Sequence, residues 1–438
     1  MFGPLMPNQP CLARLALACF FALAIPSARA DDWPTWRGLE RNGIITEDSG
    51  WRSGAWKLKQ AWRRNFGEGS TSPIVVADRL YTMGWKNQRD HLYCVDAATG
   101  KDIWTVSYAS PRFGRVSLGD QGQYSGVTAT PEFDRATGLL YTLGIDGDLN
   151  CWDSRAKGRK VWKLNLYAKY AAKQRPEVGE RGGTRRDYGY TTAPLVQGDT
   201  LIVEVGSPQG ALVGFDKRTG RELWKSQSRE EAGHTGGLVP ITVEGVPCVA
   251  VLTLRNLLVT RLDAGSEGAT IAQYKWTTDF ANNIPTPAVH NNFVVITSAY
   301  NHVALCKLRI TLKGAVKVWE TPKLASGVCS PIIHDGHIYW AWRRVYCVDF
   351  ETGKLKWAGG NIGSAGSCLL TRDQRLVVWG NRGDLLLAET AARSPSQFTE
   401  LARRGNVLPA TPWPHVVLAH ARLYCRDRDG TIVCFQLP

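Results

Sequence analysis

Tyr93-Cys94-Val95-Asp96-Ala97-Ala98-Thr99-Gly100-Lys101-Asp102-Ile103-Trp104 reads as a strand, a tight turn and a second strand, and it recurs. Residues 215–224 read F-D-K-R-T-G-R-E-L-W and residues 348–357 read V-D-F-E-T-G-K-L-K-W. All three copies fit D-x-x-T-G-[KR]-x-x-W. Each residue type has a local reason. Asp96, Asp216 and Asp349 can bond the backbone of the turn that follows them. Gly100, Gly220 and Gly353 supply the positive φ of a tight hairpin. Trp104, Trp224 and Trp357 then fall at one place on the next strand, where a flat ring covers the neighbouring sheet and its N–H meets an acceptor. Looser copies run from Asp153 through Gly158 to Trp162, from Asp263 through Gly268 to Trp276, and from Cys306 through Gly314 to Trp319. Self-similarity at this period means a repeat architecture.

Working outward, the units share a plan: a Gly/Pro-rich entry, two short strands, the turn, then a strand closing on Trp. Entries fall at Pro73, Pro131, Pro194, Pro240, Pro287 and Pro331. The seventh unit, from Gly366 to about Leu401, has lost its Trp. The eighth begins near Pro414 and stops at Pro438, one strand short. The segment 56–62, W-K-L-K-Q-A-W, alternates apolar and polar as a half-buried strand does and has no hairpin partner nearby. Joined to the last unit, it closes a ring and removes the exposed edges of an open array. The expected fold is therefore all-β, an eight-bladed propeller of four-stranded antiparallel blades closed by the N-terminal strand. Seven blades is the alternative, because the seventh unit is degenerate.

With 44% hydrophobic and 21% charged residues the 438-residue chain is globular in composition, and 17 Trp is an unusual share. Arg14, the apolar run 15–25 and Ala28-Arg29-Ala30 read as a signal peptide spanning 1–30 and cleaved after Ala30. The expectation is a periplasmic or secreted protein. The context of Cys19 only faintly matches a lipoprotein site. No run is long enough for a transmembrane helix. Residues 31–54 lack the repeat, and Trp33 and Trp36 are expected to plug or cover one end of the propeller formed by 55–438. The formal charge of +14, about +12 without Arg14 and Arg29, suits anionic envelope polymers, although a solvated surface is the plainer reading. Nucleic acid is not expected as a partner, and the chain is expected to be monomeric.

Nine cysteines follow the signal segment. Cys94, Cys151, Cys306, Cys347 and Cys434 hold similar strand positions, which reads as a small buried residue. There is no C-x-x-C and no adjacent pair, so metal and redox motifs have little support. Two long connections stand out: 107–125, with Arg112, Arg115 and Tyr124, and 165–190. The latter holds a short helical stretch at 166–175 and a basic loop at 181–188.

The D-x-x-T-G-K-x-x-W repeat resembles the tryptophan-docking repeat of the PQQ-binding-like β-propellers, which include quinoprotein alcohol dehydrogenases and BamB-type assembly lipoproteins. The resemblance covers 56–435. D-W-P-x-W-R-G at 32–38, followed by Asn42-Gly43, is similar to an exported bacterial subgroup of mostly unassigned function. Quinoprotein dehydrogenases commonly carry adjacent cysteines against PQQ, Glu/Asn/Asp ligands for Ca²⁺ and an Asp base. No such set aligns onto this sequence, so no cofactor is assigned and none of those roles is transferred.

Candidate ligand-facing residues sit near unit entries and long loops. Thr71, Thr192, Cys329 and Cys368 each fall near the start of an inner strand. Cys329 and Cys368 hold equivalent positions and are a candidate cross-blade disulfide or thiol pair, with close packing of two small residues the favoured reading. Glu204, an acid in an apolar strand, needs a partner such as Arg185 or Arg186. His234 lies among Gly233, Gly236 and Gly237, which suggest close backbone approach. Trp340, Trp342, Arg343 and Arg344 crowd the sixth unit, as a packed hairpin or as Arg stacked on Trp over a ligand. The leading expectation is a non-catalytic binding or scaffolding propeller for an envelope protein or polysaccharide. The alternative is a PQQ-dependent oxidoreductase acting on an alcohol or sugar. Trp224→Ala is expected to cost about 3–5 kcal/mol if that ring is a buried interblade contact.

Overall fold

The computed structural model describes residues 1–3, 31–111, 126–173, 189–278, 282–363, 366–380 and 383–438. Eight antiparallel blades succeed one another around a ring, at 74–109, 132–165, 195–225, 239–275, 288–322, 332–363, 366–404 and 417–436. The eighth is completed by the N-terminal strand Lys59–Asn65, which pairs with Thr431–Gln436 so that Arg63 lies opposite Val433. The seventh unit keeps all four strands despite losing its Trp, so the count is eight. In the sixth blade the middle strands run as one element, His337–Asp349, folded back at Arg343, whose φ is 61°. Tyr346 stacks on Trp340 across that fold, with centroids 4.8 Å apart. Among the described residues no helix is long and apolar enough to cross a membrane. The stretch at 166–175 yields a short helix, Leu166–Tyr170.

The diagnostic turn is built the same way three times. Asp96 Oδ1 accepts the Thr99 N–H at 2.8 Å and its hydroxyl at 2.7 Å. Asp216 does the same with Thr219, and Asp349 with Thr352. The following glycines have φ of 68°, 71° and 70°. A Cβ on any of them would come within 2.8 Å of an indole Cδ2, and that indole belongs to the preceding blade: Trp62 over Gly100, Trp162 over Gly220, Trp319 over Gly353. Each indole N–H donates to the carbonyl just after the turn Asp, of Ala97 (3.0 Å), Lys217 (3.1 Å) and Phe350 (3.2 Å). Glycine is thus required for its conformation and for the flat surface it leaves to the ring. Trp357 docks likewise, donating to Ser394 O at 3.0 Å, and Trp104 lies over Gly158. Where the seventh blade lacks Trp, Arg404 donates to Leu58 O at 3.0 Å and lays its guanidinium 4.6 Å from the centroid of Phe435.

Trp224 departs from the expected docking. Its ring is half-buried and lies against Gly214 on the adjacent strand of its own blade, and the next blade's Gly268 is met instead by the backbone of Lys225. Four of the five repeat cysteines stand directly opposite a docking Trp: Cys94 and Trp104, Cys151 and Trp162, Cys347 and Trp357, Cys434 and Trp62. All are buried and free, as small core residues.

Residues 31–49 lie across one end of the ring. Trp33 is fully buried and exchanges backbone bonds with Val75 of blade 1 at 2.7 and 2.8 Å. Pro34 accepts from Phe133 of blade 2. Arg41 pairs with Glu132 at 2.6 Å, donates to Leu238 O at the edge of blade 4, and bonds Pro194 O before blade 3. Trp36 donates to Thr286 before blade 5, and Arg37 to Pro331 O before blade 6. Ile45 pairs with Leu370 of blade 7, and Glu47 accepts from His420 and Ala421 of blade 8. This segment is a plug stitched to every blade.

Docking on the next blade sets the expected stabilities, since Trp162 is half-buried like Trp224 but carries the interblade contact. Trp62→Ala and Trp162→Ala should each lower the unfolding free energy by about 3–5 kcal/mol, whereas Trp224→Ala should cost about half as much. Urea denaturation of the three variants checks the order; equal losses at Trp224 and Trp162 would contradict the docking scheme.

Candidate functional site

Above the plug the blades enclose an axial cavity of about 200 Å³. Its floor is Trp36, whose indole N–H is fixed on Thr286 Oγ1 at 3.0 Å. Gly236 and Gly237 abut this ring so closely that a Cβ on either would collide with it, which is the close approach expected of the glycines around His234. The wall draws on every blade entry: Ser70, Thr128, Thr191, His234, Ile284, Ser330, Ser367 and His415, with Tyr300 and Trp413 among the aromatics.

Ser330 and Ser367 serve the ring as well as the cavity, and Ser72 behind the wall serves the ring alone. Ser330 Oγ accepts the Thr286 N–H at 2.9 Å, and Ser367 Oγ accepts the Val416 N–H at 3.0 Å. Ser72 Oγ accepts the His415 N–H at 2.7 Å, and Ser72 in turn donates its own N–H to Thr130. Each bond crosses from one blade to the next.

Two of the expected channel residues point the other way. Thr71 is buried with its N–H on Val127 O, and the Thr192 hydroxyl is spent on Glu204 and on Thr235 O. Their neighbours Ser70 and Thr191 line the cavity instead, because alternate residues of an extended segment face opposite ways. Glu204 is buried and accepts the Gly233 N–H at 2.8 Å; Arg185 and Arg186, its expected partners, lie outside the described residues, as do Arg112, Arg115 and Tyr124. Trp342 packs on Gly327 and Arg343 is exposed at the tip of the sixth-blade fold, so the two belong to a packed hairpin and not to the cavity wall.

Cys329 and Cys368 are brought together. Both are buried, with Sγ atoms 3.6 Å apart, and Cys329 faces the cavity. Beside them Arg37 is fully buried; its Nη2 donates to Asn42 O and Pro331 O, while Nε and Nη1 have no acceptor among the described residues. Burial lowers the Arg37 pKa to about 10. His415 lies between Trp33 and Trp36, at ring-centroid distances of 5.8 and 5.6 Å, and its Nδ1 meets Val416 O at 2.6 Å. Burial, helped by the Arg37 charge, pulls its pKa down to about 3, so the imidazole is neutral. Neither Arg37 nor His415 was singled out from sequence. The available signals were the R of D-W-P-x-W-R-G and the place of Trp413-Pro414-His415 at a unit entry.

These features define an eight-bladed propeller with a plugged, hydroxyl-lined and aromatic-lined axial cavity. The chain belongs to the PQQ-like β-propeller family: a family model described as outer membrane protein assembly factor BamB matches residues 88–359. It is similar to the dehydrogenase subunit of a quinone alcohol dehydrogenase from Gluconobacter oxydans (strain 621H), 26% identical over 259 residues, 51% of this chain and 30% of that one. The corresponding subunit of Komagataeibacter europaeus is 29% identical over 197 residues, 42% and 24% of the two chains. The chain thus spans less than a third of the length of these relatives. Among solved structures, BamB from Moraxella catarrhalis superposes with a TM-score of 0.58 at 13% identity, covering 87% of this chain and 100% of that one. The quinohemoprotein alcohol dehydrogenase from Comamonas testosteroni gives 0.63 at 14% identity, covering 92% and 80%. Likeness at this level shows the fold.

The donor set does not fit PQQ with Ca²⁺. That cofactor is a flat tricarboxylate needing cationic partners, and Ca²⁺ takes carboxylate and carbonyl oxygens. Among the described lining residues none is Asp, Glu, Lys or Arg. Nor do the described residues hold a group of three or more His, Cys, Asp or Glu placed for a metal.

His415 generates a pH dependence. Its folded pKa lies below the ordinary 6.5, so as pH falls below 6.5 the unfolded chain takes up a proton that the folded chain refuses until about pH 3. Its contribution is therefore lost on acidification, by about 2 kcal/mol between pH 7 and pH 5. Urea titrations across that range should show His415→Gln with a flatter pH dependence than the parent; parallel curves would mean that the folded imidazole takes up its proton as readily as the unfolded one.

Proposed function

We propose that this is an exported, non-catalytic binding propeller that takes a neutral, hydroxyl-rich group of an envelope polysaccharide into the mouth of its axial cavity. One observation carries this reading: the described wall combines serine and threonine hydroxyls with Trp36, Tyr300 and Trp413 and presents no formal charge. Aromatic faces cover the C–H surface of a sugar ring while hydroxyls and a neutral imidazole exchange hydrogen bonds with its oxygens. The volume suits a single sugar unit and not a folded protein segment, which favours a polysaccharide over the protein partner expected on equal terms from sequence. The plug supports a pocket over a through-channel, since Trp36 closes the axis from below. The relatives named as quinone alcohol dehydrogenases keep a PQQ-dependent oxidation of an alcohol or sugar as the competing reading.

Fluorescence and calorimetric titration separate the two. Neutral oligosaccharides should quench tryptophan emission, and Trp413→Ala should weaken binding at least tenfold while PQQ with Ca²⁺ produces no saturable signal. Tight PQQ uptake followed by dye reduction with alcohols or aldoses would replace the binding reading with the oxidoreductase.

A further inference from the structure

We infer that Cys329 and Cys368 are a reactive dithiol, reached from the axial cavity at Cys329 and oxidised by a small hydroperoxide to a disulfide that joins blades 6 and 7. Three independent features converge on the pair. The two residues come from the entries of adjacent blades, and their Sγ atoms stand 3.6 Å apart, within a rotamer adjustment of the roughly 2.05 Å of a disulfide. Cys329 Sγ also accepts the Ala341 N–H at 3.4 Å, so a thiolate there has a backbone donor. The third feature is the buried guanidinium of Arg37, with two N–H-bearing nitrogens lacking an acceptor among the described residues. A buried cation left without a counter-charge costs stability, and a neighbouring thiolate supplies one.

These surroundings divide the labour between the sulfurs. Burial opposes ionisation of Cys329, but the Cys368 S–H, the Ala341 N–H and Arg37 outweigh it and hold its thiol below the ordinary range. Cys368 is pushed well up, first by its bond to Cys329 and then by burial. Cys329, which faces the cavity and holds the Ala341 N–H, is the nucleophile, and Cys368, behind it, is the resolving thiol. By contrast, burial raises Cys94, Cys151, Cys306, Cys347 and Cys434 to about 12.

The chemistry balances in two steps. The Cys329 thiolate attacks the terminal oxygen of R–O–O–H; the S–O bond forms, the O–O bond breaks, and the leaving alkoxide takes a proton, giving a sulfenic acid and R–OH. Cys368 sulfur then attacks Cys329 sulfur; the S–S bond forms, the S–O bond breaks, and the Cys368 proton leaves with hydroxide as water. Two thiols lose two electrons, and the hydroperoxide is reduced to an alcohol and water. The size of the cavity selects the oxidant. About 200 Å³ admits a small hydroperoxide to Cys329 but not a glutathione-sized or protein disulfide.

Reduced, purified protein treated with hydrogen peroxide, then alkylated after denaturation and mapped by mass spectrometry, tests this. The expected product is a linked pair of peptides carrying Cys329 and Cys368, two hydrogens lighter than the free pair, with the other cysteines alkylated. Cys368→Ser should accumulate a sulfenic acid on Cys329 that dimedone traps, and Cys329→Ser should leave Cys368 unmodified. Arg37→Gln should slow sulfenate formation about tenfold or more, the effect of one pKa unit on thiolate fraction. If that variant does not fold, the rate at Cys329 against the other cysteines of the parent decides. Oxidation of Cys329 no faster than theirs, first capture on Cys368, or equal reactivity toward glutathione disulfide would overturn the proposal.

Discussion

The ring stands on a contact in which a tryptophan of one blade lies flat on a glycine of the next. The glycine is fixed by an Asp-Thr turn that leaves no side chain in the way, and the indole N–H ends on the carbonyl beside it. This contact couples a local requirement, positive φ, to a global one, the angle between sheets. At the seam the coupling is most consequential. Trp62 belongs to the first strand yet docks on the first complete blade while its own strand completes the eighth. Closing the ring thus uses the same contact that spaces the blades, and the seam blade ends, like the others, on one short outer strand.

A ring spaced by such contacts leaves a hole, and the plug fills it at an electrostatic cost. Arg37 and Arg41 are both fully buried. Arg41 is neutralised by Glu132 at 2.6 Å, a carboxylate that also holds the Val196 N–H. Arg37 has only carbonyls. The asymmetry is informative, because burying a cation without an anion destabilises a fold unless something nearby offers negative charge. The thiol pair and the neutral histidine share that corner of the cavity, and the histidine's depressed affinity for protons follows from the same burial and the same charge.

Much of this was legible in the sequence because the repeat is local. Asp96 to Thr99, Gly100 and the strand count all follow from spacing within some dozen residues, and the closing strand followed from arithmetic. What crosses between blades was harder to see. Trp224 obeys the motif yet lies on its own Gly214, since motif spacing fixes a strand position but not the direction in which a ring turns. Thr71 and Thr192 were one residue out of phase with the cavity, a parity that depends on where an irregular entry becomes extended. Cys329 and Cys368 were matched by position, but their separation depends on the rotation between blades 6 and 7, which no stretch of either unit encodes.

The same division explains why the fold says so little about chemistry. The repeated residues lie at the turns and interblade seams, where they are consumed in holding the ring together. The cavity wall is built from positions the repeat leaves open: a serine in one unit, a histidine in another, a tryptophan from outside the repeat altogether. Substituting these changes the ligand without touching the docking contacts, so propellers of one family can keep the wheel and exchange the site. In this chain the decisive choice is Trp36. By capping the axis it turns a channel into a pocket, and it brings Arg37, the next residue, beside the two sulfurs.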